Sequence, residues 1–144
     1  MREWIIQLLT AFLGSLGFAL LFGVRRRHLF AASLGGLFAW AIFLAVDAWL
    51  HSGFLACLLA SAFSILYSEL LARRRKTPAT LFVVPAIIPL VPGSSLYSAM
   101  ACVVRKDFIA ARAYGTLTLE YALAIAAGIS FVLACRELRT RRQP

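Results

Sequence analysis

Acidic residues are scarce in this sequence. Six Asp and Glu stand against fifteen Lys and Arg, and charged residues of both signs fill only 15% of its 144 positions. Water-soluble domains carry about 25% charged and about 45–50% apolar residues. Here the apolar share is 62% and the mean hydropathy +0.85, more apolar surface than one soluble core of this length can absorb. Cysteine is sparse as well. Cys57, Cys102 and Cys135 have no metal-ligand spacing and fall within or beside apolar runs, which reads as buried free thiols. Long polar stretches are missing, so no linker can hold a soluble domain. The apolar run after Glu3 spans about twenty residues, too long for a signal-peptide core, and no clear cleavage site closes it. It is expected to persist as a membrane helix.

What remains is a strongly basic chain, with a formal net charge of +9. In a soluble protein that balance points to nucleic acid. Here the cations sit in clusters between apolar runs: Arg25-Arg26-Arg27, Arg73-Arg74-Arg75-Lys76, Arg105-Lys106, and Arg136 through Arg142. Such clusters belong beside anionic lipid headgroups, and nucleic acid is excluded as the leading partner. A bilayer core about 30 Å thick takes roughly 20 helical residues per crossing. The runs predict an all-α polytopic membrane protein, a single transmembrane domain over 1–144. Its five helices are expected at about 4–24, 29–50, 53–72, 79–104 and 116–135, followed by a basic tail at 136–144. With five crossings, eleven Lys and Arg fall on one side and four on the other (Arg2, Arg105, Lys106, Arg112). A re-entrant fourth run would give ten and five. Both splits place the N-terminus outside; five crossings also place the tail in the cytoplasm.

Small residues recur at every fourth position: Ser15, Ala19 and Gly23; Ala31, Gly35 and Ala39; Ala56, Ala60, Ser64 and Ser68; Ala124 and Gly128. Close backbone approach drives helix association in lipid, so these stripes predict a tight bundle. Their number is more than one lipid-surrounded bundle needs and suggests a further partner.

The fourth run is unlike the others. Pro85, Pro89 and Pro92 with Gly93 remove three backbone donors within nine residues, and a continuous helix is not expected through Pro92-Gly93. A straight helix from Ala79 to Val104 would be about 39 Å long, so the break falls near the bilayer midplane. Irregular backbone at that depth must be buried in protein or line a polar cavity. Ser94 and Ser95 are expected as N-caps of a half-helix to about Val104, whose positive end suits a carboxylate. Ser94, Tyr97 and Ser98 share one face. Discontinuous helices of this kind form transporter substrate sites, which makes Pro89, Pro92, Gly93, Ser94, Ser95, Tyr97 and Ser98 the candidate substrate path. The alternative is a proline-kinked helix sealed against neighbours, its hydroxyls satisfied by backbone.

The stretch from Pro85 to Gly93, followed by Ser94, Tyr97 and Met100, resembles the signature of the threonine/serine exporter family, and more closely its short split subunit, equivalent to the C-terminal half of the full-length exporter. The resemblance implies export of small carboxylates, threonine and serine or a dicarboxylate such as succinate, across the bacterial inner membrane. It also implies a companion membrane subunit; a homo-oligomer is the fallback, because a midplane site usually forms between two repeats.

Asp47, Glu69 and Glu120 are the carboxylates inside apolar runs, and intramembrane carboxylates are functional suspects. Asp47 and Glu120 lie about 4.5 and 6 Å of rise from the outer ends of their helices, a possible gate or ion-coupling pair. Glu69 precedes Arg73 by four residues, the favourable order for a helical ion pair. His28 and His51 are expected in loops beside the membrane. No paired-His zinc motif, Gly-x-Ser-x-Gly elbow, phosphate loop or carboxylate cluster is present, and no His or Lys in the apolar core activates Ser94, so no enzyme, metal or cofactor is expected. The rival to a transporter is a membrane scaffold subunit, whose mark would be a Pro/Gly segment sealed in an apolar interface.

Overall fold

The computed structural model describes residues 2–141, with side chains through 138. Every regular element among them is helical: α1 (Arg2–Leu21), α2 (Arg26–Leu50), α3 (Gly53–Arg75), α4 (Thr80–Ile87), a 3-10 turn (Ile88–Leu90), α5 (Gly93–Val104) and α6 (Phe108–Arg141). Four of these are long and apolar enough to cross a membrane; the bent pair 80–90 and 93–104 raises the number to five if it forms one span.

Helix ends follow left-handed caps. Gly23 adopts φ +67°, and the Val24 N–H reaches back to the Ala19 carbonyl at 3.0 Å, closing α1 three residues earlier than the apolar run suggests. His51 and Lys76 close α2 and α3 in the same conformation. The largest departure is α6, expected at 116–135 and observed from Phe108. Asp107 is the reason: its Oδ1 accepts the Ala110 N–H at 3.1 Å and its carbonyl accepts the Ala111 N–H at 3.0 Å. The helix also runs on through the basic segment to Arg141, while 142–144 lie outside the described residues.

The small-residue stripes become the helix contacts. Ser15 and Ala19, Gly35 and Ala39, all four of Ala56, Ala60, Ser64 and Ser68, and Ala124 with Gly128 are buried within this chain. The stripes are therefore consumed inside the bundle and do not mark a partner surface; Gly23 is exposed in its turn. Ser61, Ser64 and Ser33 return their hydroxyls to carbonyls of their own helices. The Tyr67 hydroxyl instead crosses from α3 to the Ala31 carbonyl of α2 at 2.7 Å.

Contacts between α3 and α6 fix the topology. A Cβ at Gly53 would meet the Tyr121 ring, one at Gly128 would collide with Ser61 Oγ, and the Arg136 guanidinium donates to Glu69 at 2.7 Å. These pairs keep a nearly constant sequence offset, so α3 and α6 run parallel. The chain between them must return from the end marked by Arg73–Arg75 to the opposite end. It does so through α4, the 3-10 turn and α5. Phe108 precedes Tyr121 by thirteen positions, so the start of α6 stands about 20 Å beyond the start of α3.

The Glu69–Arg136 pair corrects the expected Glu69–Arg73 pair. Glu69 is mostly covered at the α3–α6 contact, and the facing helix offers a better-placed cation than the next turn of its own. His28 is also corrected: it lies in the first turn of α2, 2% exposed, with its ring edge-on to Phe82. Arg27 Nε donates to its Nε2, which leaves the Nδ1 proton buried without an acceptor. Of the three thiols, Cys57 is buried, Cys102 half-buried and Cys135 exposed. Large apolar side chains also cover the outer faces of the bundle, so an apolar position does not guarantee burial.

Candidate functional site at the Pro/Gly break

The fourth run divides into two parts with different surroundings. α4 and the 3-10 turn are wedged among α1, α2 and α3, and Phe82, Pro85, Ala86 and Leu90 are buried there. Pro89 carries no N–H, so the Pro85 carbonyl lacks its helical donor. That carbonyl sits against Gly36 of α2: a Cβ at Gly36 would lie 3.1 Å from it and would collide with Ser15 Oγ of α1. Ser15 is fully buried and its hydroxyl has no hydrogen-bond partner. Three segments thus meet at a polar point inside an apolar wedge. Sequence reading missed it, although the Pro85–Pro89 spacing signals the donorless carbonyl.

At the break itself the chain makes an inverse γ-turn. Val91 is extended, Pro92 has φ −76° and ψ 56°, and the Gly93 N–H donates to the Val91 carbonyl at 2.7 Å. The axis turns by 51° between the two parts. α5 starts at Gly93 with Pro92 in the N-cap position, so Ser94 and Ser95 stand inside the first turn and neither caps it. Ser95 is buried and donates its hydroxyl to the Pro92 carbonyl at 3.1 Å. Its role is to close the turn, since a buried hydroxyl needs a partner and the Pro92 carbonyl is the local acceptor.

α5 folds back on α6 across the Arg105–Asp107 turn, with Ser95 and Ala99 facing inward. Its other faces are open. Ser94 is exposed, Tyr97 is 75% exposed, and Ser98 is half-buried. The three hydroxyls are brought to one part of one helix, but nothing among the described residues forms the opposite wall. Gly93 is similar. Among the described residues no atom lies within 4 Å of a Cβ built there, so the close approach expected at Gly93 is not made by them; the close approaches occur at Gly35, Gly36, Gly53 and Gly128. Pro89 is half-buried in the wedge and does not share the open face.

Asp47, near the end of α2, and Glu120 of α6 lie at the end of the bundle away from the arginine clusters, where the Tyr121 ring packs against Gly53 and Phe43. Among the described residues neither carboxylate has a hydrogen bond or ion pair to a side chain. No group of His, Cys, Asp and Glu able to hold a metal occurs among those residues.

A bundle of long apolar helices, with a bent Pro/Gly pair among them, defines a polytopic α-helical membrane protein. The family model described as "Threonine/Serine exporter, ThrE" matches residues 7–135, and the chain belongs to that family of exporters, which are not enzymes. No curated protein and no solved structure matches it.

Proposed function

We propose that this chain is one half of a carboxylate exporter, and that the substrate path forms where the open face of α5 meets a companion membrane subunit. The observation that carries the reading is the outward-facing set Ser94, Tyr97 and Ser98 at the start of a half-helix. Hydroxyls and a positive helix end suit a carboxylate, and binding needs a second wall. Family membership supports threonine and serine as substrates; succinate fits the same chemistry. The chain crosses the bacterial inner membrane five times with its N-terminus outside. In support, α3 and α6 run parallel, so Arg136 lies at the end of the bundle that holds Arg73–Arg75. Pro89, Pro92 and Gly93 set the 51° turn that aims α5 at the partner. Asp47 and Glu120 serve as the gate or ion-coupling pair on the outer side. A homo-oligomer supplies the second wall if no companion exists.

The sealed wedge around Pro85 and Leu90 is the mark of the scaffold reading, and the open hydroxyl face is not. An export assay separates them. In cells lacking their own exporter, this chain is expressed alone and with its companion, and external threonine, serine and succinate are measured. Export is expected only with the companion. Gly93→Leu is expected to abolish export in the pair while leaving the melting temperature of the purified single chain unchanged, because its Cβ is open in this chain and meets only the partner. Full export by a monomer of this chain overturns the companion, and no export of any carboxylate in either setting favours the scaffold.

A further inference from the structure

A cavity of about 340 Å³ opens at the basic end of the bundle, far from the outer carboxylates and independent of the path along α5. Glu69, Ala72, Arg73 and Lys76 of the α3 end, Thr77, Pro78 and Ala79 of the following turn, and Arg136 of α6 line it. Its charge is positive. Glu69 is committed to Arg136, and among the described residues Arg73 and Lys76 have no side-chain partner. Thr77 adds a second feature: its Oγ1 is buried and makes no hydrogen bond. Ala79 adds a third. It occupies the N-cap of α4, where no side chain caps the first turn; the Leu81 and Phe82 N–H groups turn back on the Pro78 and Ala79 carbonyls, and the positive end of the helix dipole lies at the cavity wall. Together these are two unpaired cations, a stranded hydroxyl and an uncapped helix start around one space, with a third cation held by Glu69 at its edge.

We propose that this cavity is a binding site for the phosphate of an anionic phospholipid headgroup. The oxyanion is the chemistry that would satisfy all of these groups at once. A lipid is the source the position favours. α6 packs chiefly against α3 and α5, and its Tyr121 contact with Phe43 of α2 lies away from the basic end, so there the α3–α6 groove is on the rim of the bundle and opens toward the bilayer at headgroup depth. Basic pockets between helices at the cytoplasmic surface hold such headgroups. The Lys76 backbone in the left-handed region turns the chain abruptly at the end of α3, and this turn carries Thr77 and Ala79 to the cavity. Occupation would tie α3, α4 and α6 together at the end where Arg136 of α6 reaches Glu69 of α3.

Purified full-length chain in detergent is titrated with short-chain phosphatidylglycerol and with phosphatidylcholine, and bound lipid is counted by native mass spectrometry. One phosphatidylglycerol is expected to bind at least tenfold more tightly than phosphatidylcholine and to raise the melting temperature. Lys76→Gln and Thr77→Val, neither of which touches the Glu69–Arg136 pair, are each expected to weaken it at least fivefold. Arg73→Gln provides a third variant should one of these fail to fold. Equal binding of the two lipids, or unchanged phosphatidylglycerol affinity in the folded variants, overturns the site. Displacement of the lipid by millimolar inorganic phosphate or succinate, each protecting as well as the lipid, overturns the lipid as its occupant.

Discussion

Gly36 shows how little room a membrane bundle leaves at its contacts. Its Cα stands where α1, α2 and the proline segment meet, and a single methyl would strike Ser15 Oγ and crowd the Pro85 carbonyl. Overpacking of this kind costs about 1–3 kcal/mol. Gly36→Ala is therefore expected to lower the melting temperature in detergent by several degrees, followed by size-exclusion chromatography after heating. Gly17→Ala is the control: no atom lies within 4 Å of its Cβ, and alanine is the better helix former by about 1 kcal/mol, so stability should hold or rise. Ser15→Gly in the Gly36→Ala background should restore most of the loss. An unaltered Gly36→Ala melt would remove this contact from the account of the wedge. His28 and Ser15 share a second lesson. Each buries a polar atom without a partner, one at the basic end and one deep in the bundle, and neither could be recognised from its neighbours in sequence.

Between elements, the α3–α6 contact carries the architecture. Gly53 with Tyr121, Ser61 with Gly128 and Glu69 with Arg136 form three matched levels along two parallel helices. The third is an ion pair whose arginine is half exposed, so its contribution is at most about 1 kcal/mol. A double-mutant cycle locates it. Glu69→Gln and Arg136→Gln are expected to be non-additive by a few tenths of a kcal/mol or more, whereas Glu69→Gln and Arg73→Gln should add. The reverse pattern would restore the pair within α3 and leave the parallel arrangement resting on the two glycine contacts alone.

At the scale of the whole molecule, parallel α3 and α6 require the chain between them to travel the length of the bundle. α4 covers the buried part of that path and α5 the open part, which extends past the start of α3. In a cysteine-free background, Ser52→Cys and Lys106→Cys are expected to react with a membrane-impermeant maleimide from outside intact cells. Arg74→Cys and Glu137→Cys should react only after the cells are opened. Labelling of Lys106→Cys together with Arg74→Cys from the inside would make the fourth run re-entrant and reverse the direction assigned to α6.

Composition, run length and the Pro85–Gly93 motif by themselves determined the helical membrane class, the family and the place of the break, because lipid compels helices and proline removes donors locally. The small-residue stripes were legible for the same reason: period and residue size are properties of one helix. Asp107 as the cap of α6 was legible too, a short polar side chain three residues before the amide it accepts, but the apolar run drew the start to residue 116. Contacts between helices were not legible. Nothing in the sequence chooses Arg136 over Arg73 as the partner of Glu69, assigns the stripes to this chain's own neighbours, buries His28, or leaves Gly93 and Tyr97 open. Those outcomes depend on which helix faces which, and that follows from packing summed over many weak contacts rather than from any local pattern.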